Sequence, residues 1–568
     1  MEPPAPLPTP PQAAVVEAVL AKRSSDDDVA APVAKKAKTS TSTNPLQLKP
    51  LVNLLWQPEN RLTRERGLGR LGALPDELLL TSVFSLFEGE ELVKMAGTSR
   101  AFYAWASVEG MWKGLYIAKT EGRLLKWHGS WRASYIATFL RPSAVSADEP
   151  LPSASISTST LHSDVLFQPA LCAAFDAHTI FSTPSFIPSI PRIDGCGLSP
   201  SDLPHEPVIL TGLADSWPAL SSSPSRRWTL PDLAQRFPHQ LFRAEATLTT
   251  LGDYTVYHDR CEQDESPLYL FESEFVRKTE GQEGKPSFGD DYEVPLCFSE
   301  DLFSVMGDER PDYRWLIVGP TRSGSTWHCD PNHTSAWNTV LTGRKAWVMF
   351  PPEVAPPGVY ASEDGAHVEA PLSLAEWFLS YYKTAKALYG PKAKDPATRG
   401  KMREGICGVG ETVYVPSGWW HIVINLEPSI AVTQNFVSSR ELPAVLSFMK
   451  HRPEQVSGFK LRPAADTSSA SADIEGGLDE CDETGAGVVF DKFVAALRKS
   501  GREEMVQKAL AEVEAREAVK EAHGKKKKEG GMWSSLREGT EGEEGGGGGF
   551  SFGFGLLGDD VELDEDVI

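Results

Sequence analysis

His328 and Asp330, two residues apart, and a second histidine, His421, are the side chains in this sequence best able to hold a metal. In a strand, positions i and i+2 face the same side, so His328 and Asp330 would point together into whatever that strand lines. A His-x-Asp triplet alone occurs by chance in many proteins. His421 opens the apolar run His421-Ile-Val-Ile-Asn425 directly after a Pro-Ser-Gly-Trp-Trp turn, and completes a set of two imidazoles and one carboxylate. Such a set covers one face of an Fe(II) ion and leaves adjacent positions open for a co-substrate and O2. Lys345 begins the run Lys345-Ala-Trp-Val-Met-Phe350, whose alternation puts Lys345, Trp347 and Met349 on one face. A lysine inside a barrel is costly unless it meets an anion. The distal carboxylate of 2-oxoglutarate, chelating the iron through its 2-oxo acid end, would supply one. A lysine that snorkels at the mouth of the strand is the plainer alternative. His333 and His367 read as loop or surface histidines, and Cys329, between two candidate ligands, as packing.

These residues lie in a region of short β-rich runs separated by turns. Pro207–Pro218 is a strand broken at Gly212, and Trp315-Leu-Ile-Val, Ala346–Phe350, Glu411–Val415, Trp420–Asn425 and Ile430–Phe436 follow. Pro351-Pro352, Pro416-Ser-Gly418 and Glu427-Pro-Ser429 punctuate them. Many short strands with tight turns predict a sandwich or barrel. The stretch 363–404 reads as a helical insertion between strands.

Upstream, apolar residues recur at three and four from Leu74 to about Tyr116, which predicts helices. Leu74-Pro75-Asp76-Glu77 is a good helix entry, with Pro and two acids at the positive end of the dipole. Its leading Leu-Pro, Ser99-Arg100-x-Phe102-Tyr103 and closing Met111-Trp112-x-x-Leu115-Tyr116 resemble the F-box. That resemblance implies docking of the Skp1 adaptor of ubiquitin ligases through 74–116; a plain helical bundle is the alternative.

The composition bounds the rest. The chain has 568 residues, 41% of them hydrophobic, which is enough for two or three units with a substantial core. A net charge of -22 argues against nucleic-acid binding by the whole molecule, except through local basic segments. Seven scattered cysteines without a CxxC pair fit a reducing compartment. The start of the sequence lacks a signal pattern, and no apolar run approaches the roughly 18 residues of a membrane helix. Lys22-Arg23 and Lys35-Lys36-Ala37-Lys38 have the spacing of a two-cluster nuclear import signal. The expected location is therefore the nucleus, with the cytoplasm as an additional site.

The segments GPTRSGSTWHCDPNHTSAWNTVLTGRKAW and GETVYVPSGWWHIVINLEPSIAVTQNF, with SPLYLFES at 266–273 and DLFSVMGDERPDYRW at 301–315, resemble the jumonji-C family. Within it they are similar to the nuclear lysyl hydroxylase and arginine demethylase branch once called the phosphatidylserine receptor. The similarity runs from roughly Pro207 to Phe436. An F-box joined to such a barrel also resembles F-box/jumonji-C proteins of plants and fungi. The resemblance implies a mainly β fold, a double-stranded β-helix (cupin or jelly-roll) barrel with flanking helices behind a small α-helical F-box-like domain, with disordered tails. It implies His328, Asp330 and His421 as iron ligands. It places Lys345, Tyr269, Asn338, Ser325 and Thr433 on 2-oxoglutarate. Ser325 stands where threonine is usual, with a hydroxyl able to make the same bond. Thr326-Trp327 replaces Gly and an aliphatic residue, and Trp327 is expected to narrow the substrate mouth.

The expected organisation is a disordered segment over 1–65, an F-box-like domain over 70–135, a Ser/Pro-rich linker or insertion over 142–205, and the oxygenase domain over 206–460. A mostly disordered acidic and Gly-rich tail with one charged helix would fill 461–568. The implied activity is an Fe(II)- and 2-oxoglutarate-dependent dioxygenase using O2. It would hydroxylate side chains of nuclear proteins, histones or RNA-processing proteins among them, or demethylate them through N-methyl hydroxylation. The rival readings are an F-box substrate receptor whose barrel only binds, oxidation of an RNA base or small metabolite, and a non-oxygenase cupin.

Overall fold

The computed structural model describes residues 44–51, 61–141, 156–183, 186–362, 365–461 and 486–529. The proposed import signal at 22–38 lies outside them. Fifteen strands follow one another among these residues. They are β1 Arg192–Asp194, β2 Val208–Thr211, β3 Leu241–Ala244, β4 Thr247–Thr250, β5 Leu270–Glu272, β6 Arg314–Gly319, β7 Gly324–His328 and β8 Ser335–Thr342. Then come β9 Lys345–Phe350, β10 Tyr360–Ala361, β11 Val368–Glu369, β12 Arg403–Cys407, β13 Thr412–Val415, β14 Trp420–Asn425 and β15 Ser429–Phe436.

Two sheets build the barrel. The larger runs β1-β2-β13-β8-β15-β6-β5-β3-β4 and the smaller β12-β9-β14-β7, antiparallel throughout except for β1 on β2. The fold is thus the double-stranded β-helix with flanking helices. Period-two alternation decides which side chains enter the barrel. On β9, Ala346, Val348 and Phe350 face outward into one apolar cluster, while Trp347 and Met349 join Val413, Val415 and Val423 in another between the sheets. The β8–β9 hairpin turns at Gly343, whose φ of 78° and closeness to the Pro428 carbonyl (2.2 Å from an added Cβ) admit no side chain.

Helices cover the outer faces. In the amino-terminal part, α1 (Gly89–Ala96), α2 (Arg100–Trp105) and α3 (Glu109–Lys119) are short, and α2 starts where Ser99 Oγ accepts the Phe102 N–H at 3.1 Å. They share one core with the outer face of the larger sheet, running from Leu92, Trp105 and Trp112 to Tyr257, Trp337 and Phe436. Polar bonds reinforce that seam. Trp127 Nε1 donates to the Arg260 carbonyl at 2.9 Å, Trp131 Nε1 to Asp264 at 3.0 Å, and Lys113 pairs with Glu245 at 3.2 Å.

Three segments take a form that the sequence left open or gave incompletely. In 142–205, residues 142–155 fall outside the description, but α4 (Asp164–Ala173) packs toward the smaller sheet and Phe175 stacks on Phe378 at 5.8 Å. Apolar residues hidden among Ser and Pro are enough to dock it. In 363–404, helices α5 (Leu374–Ser380) and α6 (Tyr382–Tyr389) form, but Arg403 and Glu404 belong to β12, paired with Met349 and Val348. Beyond residue 461 there are two helices instead of one charged helix. They are α8 (Ala486–Lys499) and α9 (Glu503–Glu529), which pack on α7 (Leu442–His451). Phe493, Leu497, Val506 and Val513 are buried there, a stripe of apolar residues sufficient to order a charge-rich segment.

Candidate active site

The smaller sheet, and strands β8 and β15 at the centre of the larger one, carry most of the candidate residues. His421 on β14 stands directly opposite His328 on β7, so both imidazoles project to the same face, with ring centroids 4.0 Å apart. β7 ends at His328. Asp330 therefore sits in the connection that leads into a turn at 331–333, where the sequence had suggested a continuous strand. Ligand atoms of His328, Asp330 and His421 nonetheless lie within 4.8 Å of one another.

Each histidine is held in the tautomer a metal needs. His328 Nδ1 is 2.7 Å from the Thr326 carbonyl and His421 Nδ1 is 3.0 Å from the Trp419 carbonyl. A carbonyl can only accept, so Nδ1 carries the proton and Nε2 presents its lone pair. Burial lowers both imidazoles to about 4. Burial raises the Asp330 carboxyl, and its Oδ2 has no hydrogen-bond partner. A buried carboxylate oxygen without a hydrogen-bond partner, beside two imidazoles held through Nδ1, fits a divalent cation.

Ser325 and His328 are three apart and would face opposite sides of a regular strand. Between the pairs His328–His421 and Ser325–Val423, β7 advances three residues while β14 advances two, so a β-bulge turns both inward. Gly324 permits it, because a Cβ there would lie 2.0 Å from the Val423 carbonyl oxygen. Trp327 takes the other face. It is 4% exposed and packs on Phe350 and on Trp377 of α5, with centroids 5.6 and 4.9 Å away. The expectation that it narrows the substrate mouth is thereby corrected: alternation from His328 sends it outward. Trp327→Ala should cost about 3–5 kcal/mol of stability. A thermal melt is expected to show that loss, with turnover per folded molecule close to wild type.

Lys345 is fully buried, and no ion pair to it occurs among the described residues. Its Nζ donates to the Tyr269 hydroxyl at 2.5 Å. Burial raises the Tyr269 phenol and the thiol of Cys407, which stands opposite Lys345 in register, so both neighbours are neutral. Burial pushes Lys345 itself down to about 7. Asn338 and Thr433 face each other across β8 and β15; Thr433 Oγ1 donates to the Trp337 carbonyl at 2.8 Å, and Asn338 Oδ1 is buried without a partner. A dicarboxylate would supply the charge that Lys345 lacks and could accept from the Asn338 Nδ2 amide, while Oδ1 needs a donor.

Two amides escaped the sequence reading. Asn425, opposite Lys345, donates to Ser323 Oγ at 2.9 Å and has a bare Oδ1, and Asn435 hydrogen-bonds Asp330, which opposes the effect of burial there. The alternation His421, Val423, Asn425 pointed to the first. His333 lies at the rim, on Phe448, and His367 on the small hairpin β10–β11.

Residues 203–441 match the family described as a cupin-like domain. The Arabidopsis thaliana protein named arginine-specific demethylase JMJ22 is 38% identical over 431 residues, covering 74% of this chain and 80% of that protein. The chain belongs to the jumonji-C oxygenase family. Two further jumonji-C relatives support this. Caenorhabditis elegans psr-1, named a bifunctional arginine demethylase and lysyl-hydroxylase, is 37% identical over 48% of this chain and 68% of its own. Zebrafish JMJD4, named a 2-oxoglutarate and iron-dependent oxygenase, is 29% identical over 28% of this chain and 35% of its own. Jumonji-C enzymes use iron and 2-oxoglutarate, and the donor set described above suits both.

Proposed function

We propose that this jumonji-C protein oxidises side chains of protein substrates, with His328, Asp330 and His421 holding Fe(II). Lys345, Tyr269, Asn338, Ser325 and Thr433 receive 2-oxoglutarate. With Fe(II) held there, the site would supply oxidation by O2, one oxygen atom going to succinate as 2-oxoglutarate loses CO2 and the other to a substrate C–H bond. The chain's own residues bind and orient: the Thr326 and Trp419 carbonyls fix the imidazoles, and Lys345 with Tyr269 takes the distal carboxylate. The apolar wall of Trp347, Met349 and Val423 lowers the local dielectric around that ion pair, which strengthens it. The observation that carries this reading is the buried, uncompensated Lys345 within the same barrel as three converging metal donors.

The relatives' names favour lysine or methylarginine as the target. Hydroxylation at a lysine carbon is stable, whereas an N-methyl carbinol releases formaldehyde. Succinate release by the purified protein with Fe(II) and ascorbate, followed by mass spectrometry of lysine- and methylarginine-containing peptides, tests both. Gain of one oxygen marks hydroxylation and loss of a methyl group marks demethylation. No succinate with any peptide or nuclear extract would overturn the enzymatic reading.

Docking of a Skp1-type adaptor on the amino-terminal helices is a second reading, favoured by the outward Leu78 and Leu86, 47% and 77% exposed. A pulldown that recovers no adaptor would remove it. Nuclear residence rests on the basic clusters at 22–23 and 35–38, and a fusion to a fluorescent protein reads it directly. No helix among the described residues is long and apolar enough to cross a membrane.

A further inference from the structure

The turn after Asp330 concentrates backbone strain at the barrel rim. Asn332 (φ 53°) and His333 (φ 54°) both occupy the left-handed region, and they are the only adjacent pair of non-glycine residues with positive φ among the described residues. Such conformations persist only where the surroundings over-determine them. Here the surroundings come from beyond the barrel.

Asn332 is buried, and both ends of its amide are used on one residue. Nδ2 donates to the Ser457 carbonyl at 2.9 Å, and Oδ1 accepts the Ser457 N–H at 3.1 Å. The His333 ring lies on Phe448 of α7, centroids 5.0 Å apart, and its carbonyl accepts from Ser417 Oγ at 2.7 Å. Ser417 belongs to the turn that leads into His421. α7 in turn shares a core with α8 and α9 through Leu446, Met449, Phe493 and Val506. An unbroken path therefore runs from the carboxy-terminal helices to His333, three positions from Asp330 and next to Asn332.

Asp330 needs such support. Its Oδ2 has no protein partner, so hydrogen bonds at that oxygen do not set its direction. Asn435 bonds the carboxylate, and the backbone of the turn sets where that carboxylate starts from. We propose that Asn332 is a positioning residue for the metal site: by clamping the left-handed turn to the Ser457 backbone it aims the Asp330 carboxylate. The carboxy-terminal helices are then part of the site's support. This rests on the reading of Asp330 as a ligand.

Co(II) binding to the full chain, followed by its visible absorption, tests the clamp in wild type, Asn332→Gly and Asn332→Asp. Glycine accepts positive φ without cost, so Asn332→Gly removes the clamp and adds no strain. Residues that only orient a metal ligand are worth roughly 10–100-fold in affinity, so the Co(II) Kd should rise at least ~10-fold in Asn332→Gly with an altered band. Asn332→Asp keeps the acceptor for the Ser457 N–H and should fall between the two. The KM for 2-oxoglutarate at saturating Fe(II) should stay within about twofold, because uniform co-substrate binding is untouched. Unchanged Co(II) affinity and spectrum in Asn332→Gly would overturn the proposal. So would an equal loss of 2-oxoglutarate affinity and thermal midpoint, which marks general loosening. Failure of the wild type to bind Co(II) would overturn the ligand reading itself, and the clamp with it.

Discussion

His328→Ala is expected to lower succinate release from 2-oxoglutarate more than ~100-fold, because even residues that merely orient a ligand are worth roughly 10–100-fold. The change leaves a carboxylate and one imidazole, too few donors to keep a divalent ion on the open face of the site. Co(II) absorption should disappear with the activity. The fold should survive: burial holds the imidazole near 4, so it is neutral at pH 7, and its bond to the Thr326 carbonyl is a neutral one. A thermal midpoint near wild type together with lost turnover places the effect at the metal. Retained turnover would move the metal centre elsewhere in the protein.

Lys345→Met is expected to do two opposite things, abolishing turnover and raising the thermal midpoint of the ligand-free protein. The folded state depresses the lysine from its usual 10.5 to about 7 through burial. For a cation with a lowered folded value, the unfolded chain binds the proton more tightly, so stability is lost as pH falls from 10.5 and the loss is complete below about 7. At about 1.4 kcal/mol per pH unit the full penalty is on the order of 4–5 kcal/mol, less the lost bond to Tyr269, worth about 1 kcal/mol. The variant's advantage in thermal midpoint should therefore be greatest near pH 7 and shrink toward pH 10. 2-Oxoglutarate with a redox-inert metal should stabilise the wild type and leave the variant unmoved. A variant less stable than wild type at pH 7 would show that Lys345 is already compensated, and would remove the main argument for an anion in the barrel.

How much of this was legible in the sequence depends on the range of the rule applied. Alternation along one strand is local, so the shared face of Lys345, Trp347 and Met349 could be read directly. The convergence of His328 with His421 needs the register between β7 and β14, which is tertiary, and there the resemblance to jumonji-C proteins supplied what spacing could not. A bulge defeats alternation, and for that reason Ser325 and His328 share a face despite their odd separation. Trp327 was misplaced because its type suggested a mouth-lining role while its position sent it toward Trp377. Asn332 gave no signal at all, since Asn in a turn is unremarkable until Ser457 is found beside it. The helical character of 486–523 was legible from Phe493, Leu497 and Val513, but its division into two helices and their docking through Val506 are tertiary and were not.

The seam of Trp127, Trp131 and Tyr257, with ring centroids 4.8 to 6.2 Å apart, leaves no hinge between the amino-terminal helices and the barrel. Any protein that grips those helices takes hold of the barrel as well, at a bearing fixed by three interlocked rings. Recruitment and oxidation would then be joined geometrically: the length and angle of a docked partner, more than its affinity, would select which of its side chains reaches the iron.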